Sequence, residues 1–160
     1  MAEFTHVKGD RVEMVDISEK GEVVREAAAE GRIRLREATL RAIREGSTVE
    51  GNVLATARVA AILAVKETPR IIPLCHPIPL SGIEVDFSDG DGFILATVRV
   101  RSRGPTGVEM EALTGVSVAL LTIWDMVKSA EKDASGQYPG TGIEGIRVIE
   151  KRKGQAAGDR

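Results

Sequence analysis

Two alternating segments on either side of Asp89-Gly90-Asp91-Gly92 constrain the fold of this 160-residue chain more than any other feature. Residues 83–87 and 93–103 alternate apolar and polar side chains, as strands with one buried face do. Asp-Gly pairs are typical of the tight turns that join antiparallel strands, because glycine accepts positive φ angles. The sequence therefore predicts a β-hairpin and, around it, an antiparallel sheet.

Three helices are predicted on either side of this hairpin. Residues 37–45 form a short amphipathic helix closed by Gly46. Asn52 is suited to cap a second, alanine-rich helix that runs to about Glu67, closed by the proline at position 69. The longest helical stretch runs from about residue 110 to residue 132. Between the second helix and the hairpin, Pro73, Pro77 and Pro79 exclude regular helix.

Further strands are predicted before and after these elements. Extended structure is indicated near residues 31–35, inside a mixed segment, and again at residues 143–149. The order strand, helices, two strands, helix, strand predicts an α+β fold of ferredoxin-like type, with an antiparallel sheet covered by helices on one face. Residues 1–150 are expected to form a single domain, and residues 151–160 a polar, flexible tail.

Composition excludes several classes of function. A hydrophobic fraction of 42% is enough for a core, and a net charge of −2 gives no general attraction to nucleic acid or membranes. The single Cys75 cannot form an internal disulfide, which suits a reducing compartment. The N-terminus resembles no signal peptide, and the longest apolar run, residues 59–65, is far short of the roughly 20 residues of a membrane span. A soluble cytoplasmic protein is expected.

The first cluster with chemical potential is Leu74-Cys75-His76-Pro77. Pro77 favours extended geometry at His76, and a stiff loop suits the presentation of an imidazole to a ligand. A metal site is not expected, because the chain has no second Cys-His pair and His6 is remote in the sequence. A functional His76 and a packed loop histidine remain equally open from the residues alone.

The second cluster is Gly107-Val108-Glu109-Met110-Glu111. Two carboxylates beside a flexible glycine are suited to acid/base catalysis or to binding the edge of a guanine ring. The same residues are also typical of a helix N-terminus, where acidic side chains interact favourably with the helix dipole. Both interpretations stay open at this point.

The third cluster is the pair Asp125 and Lys128, spaced i, i+3 on one face of a strongly apolar helix. The pair is either a structural ion pair or a buried acid/base pair, in which burial would lower the pKa of the lysine. If Glu111 and Asp125 lie in one straight helix, fourteen residues separate them by about 21 Å. A site that uses both residues then has to be completed by a second subunit.

The fourth cluster is Arg99, Arg101 and Arg103, at period two on one face of a predicted strand. These arginines are able to bind phosphates, but Glu84 and Asp86 on the neighbouring strand offer cross-strand partners. We favour the interpretation as ion pairs.

Together these clusters resemble the molybdenum cofactor biosynthesis protein C family, the cyclic pyranopterin monophosphate synthases. The resemblance runs in the family's order along most of the chain. Its matching stretches are Met14-Val15-Asp16-Ile17-Ser18, Ala55-Thr56-Ala57-Arg58, Ile72-Pro73-Leu74-Cys75-His76-Pro77, the nine residues from Thr106 to Thr114, and Leu121-Thr122-Ile123-Trp124-Asp125-Met126.

The resemblance implies a lyase that converts a 3′,8-cyclised dihydro-GTP to cyclic pyranopterin monophosphate and diphosphate, with no protein-bound cofactor. It implies a homohexamer of three dimers, with each active site between two chains and with neither nucleic acid nor membrane as a partner. It implies catalysis by Asp125, Lys128 and His76. The substrate-binding residues that it implies are Leu74, Cys75, His76, Glu109, Met110 and Glu111.

Two departures from the family pattern concern the phosphate contacts. Glu50 stands where the family usually has a catalytic lysine, and the C-terminal segment is less rich in lysine and glycine. Another cation must then offset Glu50, and Lys66, Arg70 and residues 151–153 are the candidates. The alternative function is a non-catalytic nucleotide-binding or regulatory module on the same scaffold.

Overall fold

The structure is a computed structural model that describes residues 4–48 and 52–154. Glu50 lies outside the described residues, so the structure gives no contacts for the departure from the family pattern at this position. In chain order the described elements are β1 (Val7–Lys8), β2 (Arg11–Val12), β3 (Val23–Arg34), α1 (Glu37–Glu45), α2 (Val53–Ile71), β4 (Leu80–Gly90), β5 (Phe93–Gly104), α3 (Glu109–Glu131) and β6 (Gly142–Lys153).

One four-stranded antiparallel sheet forms the frame of the protein. Its strand order is β4–β5–β3–β6, and the predicted hairpin pairs β4 with β5 from Gly90↔Phe93 through Val85↔Val98. After the small β1–β2 hairpin, the element order is β-α-α-β-β-α-β, because α1 and α2 both lie between β3 and β4. The structure confirms an α+β fold in which helices pack on an antiparallel sheet.

The core lies between the sheet and helices α2 and α3 and is almost entirely aliphatic. Alternate residues of β5, from Ile94 to Val100, are fully or almost fully buried against the helices. They meet Val116, Leu120 and Ile123 of α3, which are also buried. At 3% aromatic content, the chain fills this space with branched aliphatic side chains and alanine.

Gly115 lets α3 approach both α2 and the sheet. A Cβ atom at this position would lie 2.7 Å from Val65 Cγ2 and 3.0 Å from Val98 Cγ1, closer than carbon atoms pack. The absence of a side chain at residue 115 therefore sets the depth at which α3 lies. This depth in turn places both ends of α3, where the candidate site residues are found.

Helix α2 runs past the predicted boundary at Glu67 and contains Pro69 in its last turn. Pro69 has no N–H group for the Val65 carbonyl, four residues earlier. The Thr68 hydroxyl lies 3.0 Å from that carbonyl oxygen and supplies the missing donor. Because the acceptor is satisfied in this way, the helix continues to Ile71, and the prediction that Pro69 closes it is wrong.

The opposite face of the sheet carries the arginines of the fourth cluster, paired with carboxylates. Arg99 contacts Glu26 at 2.7 Å and Glu150 at 2.5 Å, and Arg101 contacts Glu26 at 2.7 Å and Glu84 at 3.3 Å. The interpretation as ion pairs is confirmed for Arg99 and Arg101, with partners on β3 and β6 in addition to the predicted Glu84. In the described part of the chain, no ion pair involves Arg103 or the other predicted partner, Asp86.

The boundary of the last strand also differs from prediction. Strand β6 extends through residues 151–153, which were expected in the tail, because Lys153 pairs with Arg25 of β3.

Helix α3 is long and apolar enough to cross a membrane by composition, but half of its most apolar window is buried inside the protein. That burial matches the role of α3 as a core helix.

Candidate active site

A cavity of about 400 Å³ opens where the 74–76 loop, the start of α3, the N-terminal segment and the end of β6 meet. Its lining includes all six predicted substrate-binding residues, which come from two segments more than thirty residues apart. The lining residues are Thr5, His6, Val15, Ile17, Lys20, Leu74, Cys75, His76, Thr106, Gly107, Glu109, Met110, Glu111 and Lys151.

The loop that carries Cys75 and His76 follows directly from the end of α2. The Ile72 N–H donates to the Thr68 carbonyl at 2.8 Å, and the Cys75 N–H donates to the Ile72 carbonyl at 3.1 Å. The surrounding prolines exclude further helix, as predicted. His76 is therefore presented to the cavity by a short, hydrogen-bonded loop rather than by a mobile segment.

Glu109 and Glu111 lie in the first turn of α3, so they are both acidic residues at a helix N-terminus and residues of the cavity wall. The Glu109 carboxylate forms an ion pair with Lys151 of β6. Glu111 is only 3% exposed. Burial raises the pKa of Glu111, and the neighbouring Glu109 carboxylate raises it further. The two glutamates thus have different environments within one turn of helix.

Cys75 has the environment of a protonated thiol. Burial raises the pKa of the Cys75 thiol, and the nearby Glu111 carboxylate adds to the effect. A nucleophilic cysteine would need the opposite shift, because the thiolate is the reactive form. Cys75 is therefore suited to line the cavity and not to attack a substrate.

The N-terminal segment forms a wall of the cavity that the sequence predictions left without a role. His6, described above as remote from His76, lines the same cavity, so its distance along the chain was misleading. Asp16 accepts a hydrogen bond of 2.9 Å from the Ser18 N–H and another from the Ser18 hydroxyl. These bonds lower the pKa of Asp16, with a smaller effect from the nearby His76. The sequence feature that could have indicated this wall is the stretch at residues 14–18, which matches the family pattern.

Asp125 and Lys128 lie elsewhere on α3 and do not line this cavity. They are hydrogen-bonded to each other at 2.7 Å, with side chains 72% and 52% exposed. Asp125 raises the pKa of Lys128. Within a single chain the option of a buried pair with a lowered lysine pKa is therefore wrong, since both residues project from the outer face of the helix. Fourteen residues of continuous helix separate Glu111 from Asp125 by about 21 Å.

The candidate cations differ in their access to the cavity. Lys151 lines it. Lys66 lines a smaller neighbouring cavity of about 230 Å³, which shares Glu111 with the first. Arg70 is exposed and pairs with Glu67 at 3.1 Å. Within residues 4–48 and 52–154, no group of three or more histidine, cysteine and acidic residues is arranged to hold a metal ion.

Comparison with known proteins gives full-length matches. Residues 14–154 match the MoaC family. The chain is 74% identical over 155 residues to a probable cyclic pyranopterin monophosphate synthase of Methanoregula boonei, covering 97% of this chain and 100% of that protein. Proteins of the same printed name in Methanosphaerula palustris and Thermococcus kodakarensis are 69% and 59% identical, each over at least 96% of this chain and 99% of their own length.

Proposed function

This chain belongs to the MoaC family, and we propose that it is a cyclic pyranopterin monophosphate synthase. Its substrate is a 3′,8-cyclised dihydro-GTP, and its products are cyclic pyranopterin monophosphate and diphosphate. The reaction belongs to molybdenum cofactor biosynthesis, and the protein acts as a soluble enzyme of the cytoplasm.

The observation that carries this proposal is the convergence of the motif residues on one cavity. Leu74, Cys75 and His76 arrive from the loop after α2, and Glu109, Met110 and Glu111 arrive from the start of α3. Backbone hydrogen bonds fix the loop, and the helix itself fixes the glutamates. A cavity of about 400 Å³ is within the usual size range of small-ligand sites.

The side chains around this cavity suit a reaction made of proton transfers. Opening the purine-derived ring, closing the pterin ring and expelling diphosphate need groups that donate and accept protons, together with an internal displacement. Glu111, with its raised pKa, is suited to donate a proton or to hydrogen-bond a ring nitrogen. His76 lines the same cavity and is able to act as an acid or a base.

Lys151 is the cation that we assign to the phosphates. It lines the cavity and is paired with Glu109, so an incoming phosphate group competes with that carboxylate for the ammonium. We expect such a contact to offset the repulsion from Glu50, so that the enzyme is active despite this departure from the family pattern. Lys66 and Arg70 are less suited, because one lies in the neighbouring cavity and the other is paired on the surface.

Asp125 and Lys128 complete the site from a second chain. They are too far along α3 to reach a ligand held by Glu111 of the same chain. Leu121, one turn earlier on α3, is 57% exposed, so this face offers an apolar side chain as well as the charged pair to a second subunit. We assign the assembly as a homohexamer of three dimers.

Turnover by the purified chain tests this function. The protein is incubated with the 3′,8-cyclised dihydro-GTP, and diphosphate and the pterin product are measured. Product formation by the wild type supports the synthase. Tight nucleotide binding without turnover would instead support the alternative of a regulatory module, especially if Glu50→Lys restores turnover.

A further inference from the structure

The β1–β2 hairpin holds His6 through both its backbone and its side chain. The Glu13 N–H donates to the His6 carbonyl at 2.9 Å, and the His6 ring nitrogen Nδ1 lies 3.1 Å from the Glu13 carbonyl oxygen. Gly9 takes a φ angle of 65° in the turn that joins the two strands, a conformation that favours glycine. His6 is therefore fixed by Glu13 at the open end of a tight hairpin.

Core packing does not account for this hairpin. All four residues of β1 and β2 are exposed, and so is His6. A ribbon of two such short strands gains little stability from its own pairing in water. Thr5 and His6, at its start, belong instead to the lining of the 400 Å³ cavity. What the hairpin orders is thus a part of the cavity wall.

The bond to Glu13 determines which ring nitrogen of His6 carries the proton in the neutral imidazole. A carbonyl oxygen only accepts hydrogen bonds, so Nδ1 is the donor and Nε2 is the nitrogen with a free lone pair. Nε2 lies on the far side of the ring from Nδ1. The bond therefore turns Nδ1 towards the hairpin and leaves Nε2, as an acceptor, for the cavity that His6 lines.

We propose that His6 is a further substrate-binding residue, whose Nε2 accepts a hydrogen bond from an N–H or hydroxyl group of the bound substrate. This inference rests on the proposed function, which supplies a ligand with a purine-derived ring and a sugar. Two carboxylates of the wall are less available as acceptors. Glu109 is paired with Lys151, and burial raises the pKa of Glu111, which favours a donor at that position. A neutral imidazole also adds no repulsion beside the phosphates.

The kinetic test compares His6→Asn with Glu13→Ala. An asparagine amide is able to donate to the Glu13 carbonyl as Nδ1 does, but it has no group in the place of Nε2. Alanine at residue 13 keeps the backbone carbonyl and removes only the surface ion pair with Lys8. His6→Asn should lower kcat/KM by about tenfold, the scale of one lost hydrogen bond. Glu13→Ala should match the wild type.

Two kinetic results would overturn the proposal. A wild-type kcat/KM in His6→Asn would show that His6 only ties the hairpin together. An equal loss of kcat/KM in His6→Asn and Glu13→Ala would show that the stability of the hairpin, and not Nε2, sets the rate.

A second readout measures binding directly. The chain has only two histidines, His6 and His76, and peptide mass spectrometry follows the labelling of each by diethyl pyrocarbonate. This reagent attacks an unprotonated ring nitrogen, which in His6 is Nε2. The Lys128→Ala chain is used, because its slow turnover preserves the cyclised GTP derivative. At about ten times Kd, the substrate should slow His6 labelling by about tenfold, the factor by which it depletes the free protein.

The two histidines separate the possible outcomes of this labelling. Protection of His76 with His6 still labelled at its ligand-free rate would overturn the role of His6 and leave the proposed function standing. Ligand-free rates at both histidines would refute the proposed function itself, and the role of His6 with it.

Discussion

Glu111 and Lys128 lie on the same helix, yet their pKa values are raised for different reasons. For Glu111 the main cause is burial, which disfavours the carboxylate. For Lys128 it is the hydrogen bond with Asp125, which favours the ammonium at an exposed position. Each group therefore holds its proton up to a higher pH than usual, the one as a carboxyl group in the cavity wall and the other as an ammonium on the surface.

The raised pKa of Glu111 predicts a pH-dependent stability. The native state binds this proton more tightly than the unfolded state, whose pKa is near the ordinary 4.5. The resulting stabilisation is complete below that value and is lost as the pH rises through the raised native value. Glu111→Gln should therefore melt higher than the wild type at about pH 8, with the difference shrinking towards about pH 4.

The matched control for this experiment is Glu45→Gln, at an exposed position on α1. It should leave the pH profile of the melting temperature unchanged. A constant offset between Glu111→Gln and the wild type across the whole range would contradict the assignment of a raised pKa to Glu111.

Lys128→Ala should separate catalysis from stability. We expect kcat to fall by at least about a hundredfold, the usual scale for a lost acid/base group. The melting temperature should hardly change, because an exposed ion pair contributes little to the free energy of unfolding. Steady-state kinetics and thermal melts are compared with Lys132→Ala, at an exposed position just past the helix end. A destabilised Lys128→Ala with normal turnover per folded molecule would make the pair structural.

Motif residues were predictable from the sequence, but their surroundings were not. The 74–76 and 109–111 segments have local signals, namely prolines around a histidine and alternating acids beside glycine. The contributions of His6 and Lys20 depend on contacts between segments far apart in the chain, which no local pattern encodes. The burial of Glu111 and the exposure of Lys128 likewise depend on how α3 lies on the sheet.

At the scale of elements, the types of the helices and of the long strands were predicted better than their ends. The alternation of residues 93–103 and the Asp-Gly turn specify a hairpin locally. The end of α2 depends on the Thr68 hydroxyl, and the length of β6 depends on pairing with β3, so neither follows from propensity. The β1–β2 hairpin is only two residues long on each side and gives almost no periodic signal.

Glu131 is the residue on which the arrangement of α1, α3 and the 132–141 loop depends. Glu131→Ala leaves the Arg36 N–H and two hydroxyls without their buried acceptor. The free energy of unfolding should fall by about 3 kcal/mol, the scale for unsatisfied buried partners of a charged group. Urea denaturation measures it, with Glu67→Ala as a control in an exposed ion pair. A loss as small as that of the control would show that water replaces the carboxylate.

At the scale of the whole molecule, α3 presents two groups of candidate site residues that face different surroundings. Its first turn closes the cavity of its own chain, and its outer face displays Asp125, Lys128 and exposed Leu121. The length of α3 keeps the two groups about 21 Å apart, so one chain cannot bring them to one small substrate. A symmetric assembly is the simplest way to join them.

Subunit complementation is the most direct test of the central claim. This claim is that each active site combines the 74–76 loop of one chain with Asp125 and Lys128 of another. His76→Ala and Asp125→Ala chains are co-expressed, and turnover of the cyclised GTP derivative is compared with that of each variant alone. Random mixing leaves about a quarter of the sites with both residues intact, so about a quarter of wild-type activity should return. Mass spectrometry verifies that mixed assemblies have formed. If these assemblies remain as inactive as the single variants, both residues belong to a site formed by one chain, which contradicts the claim.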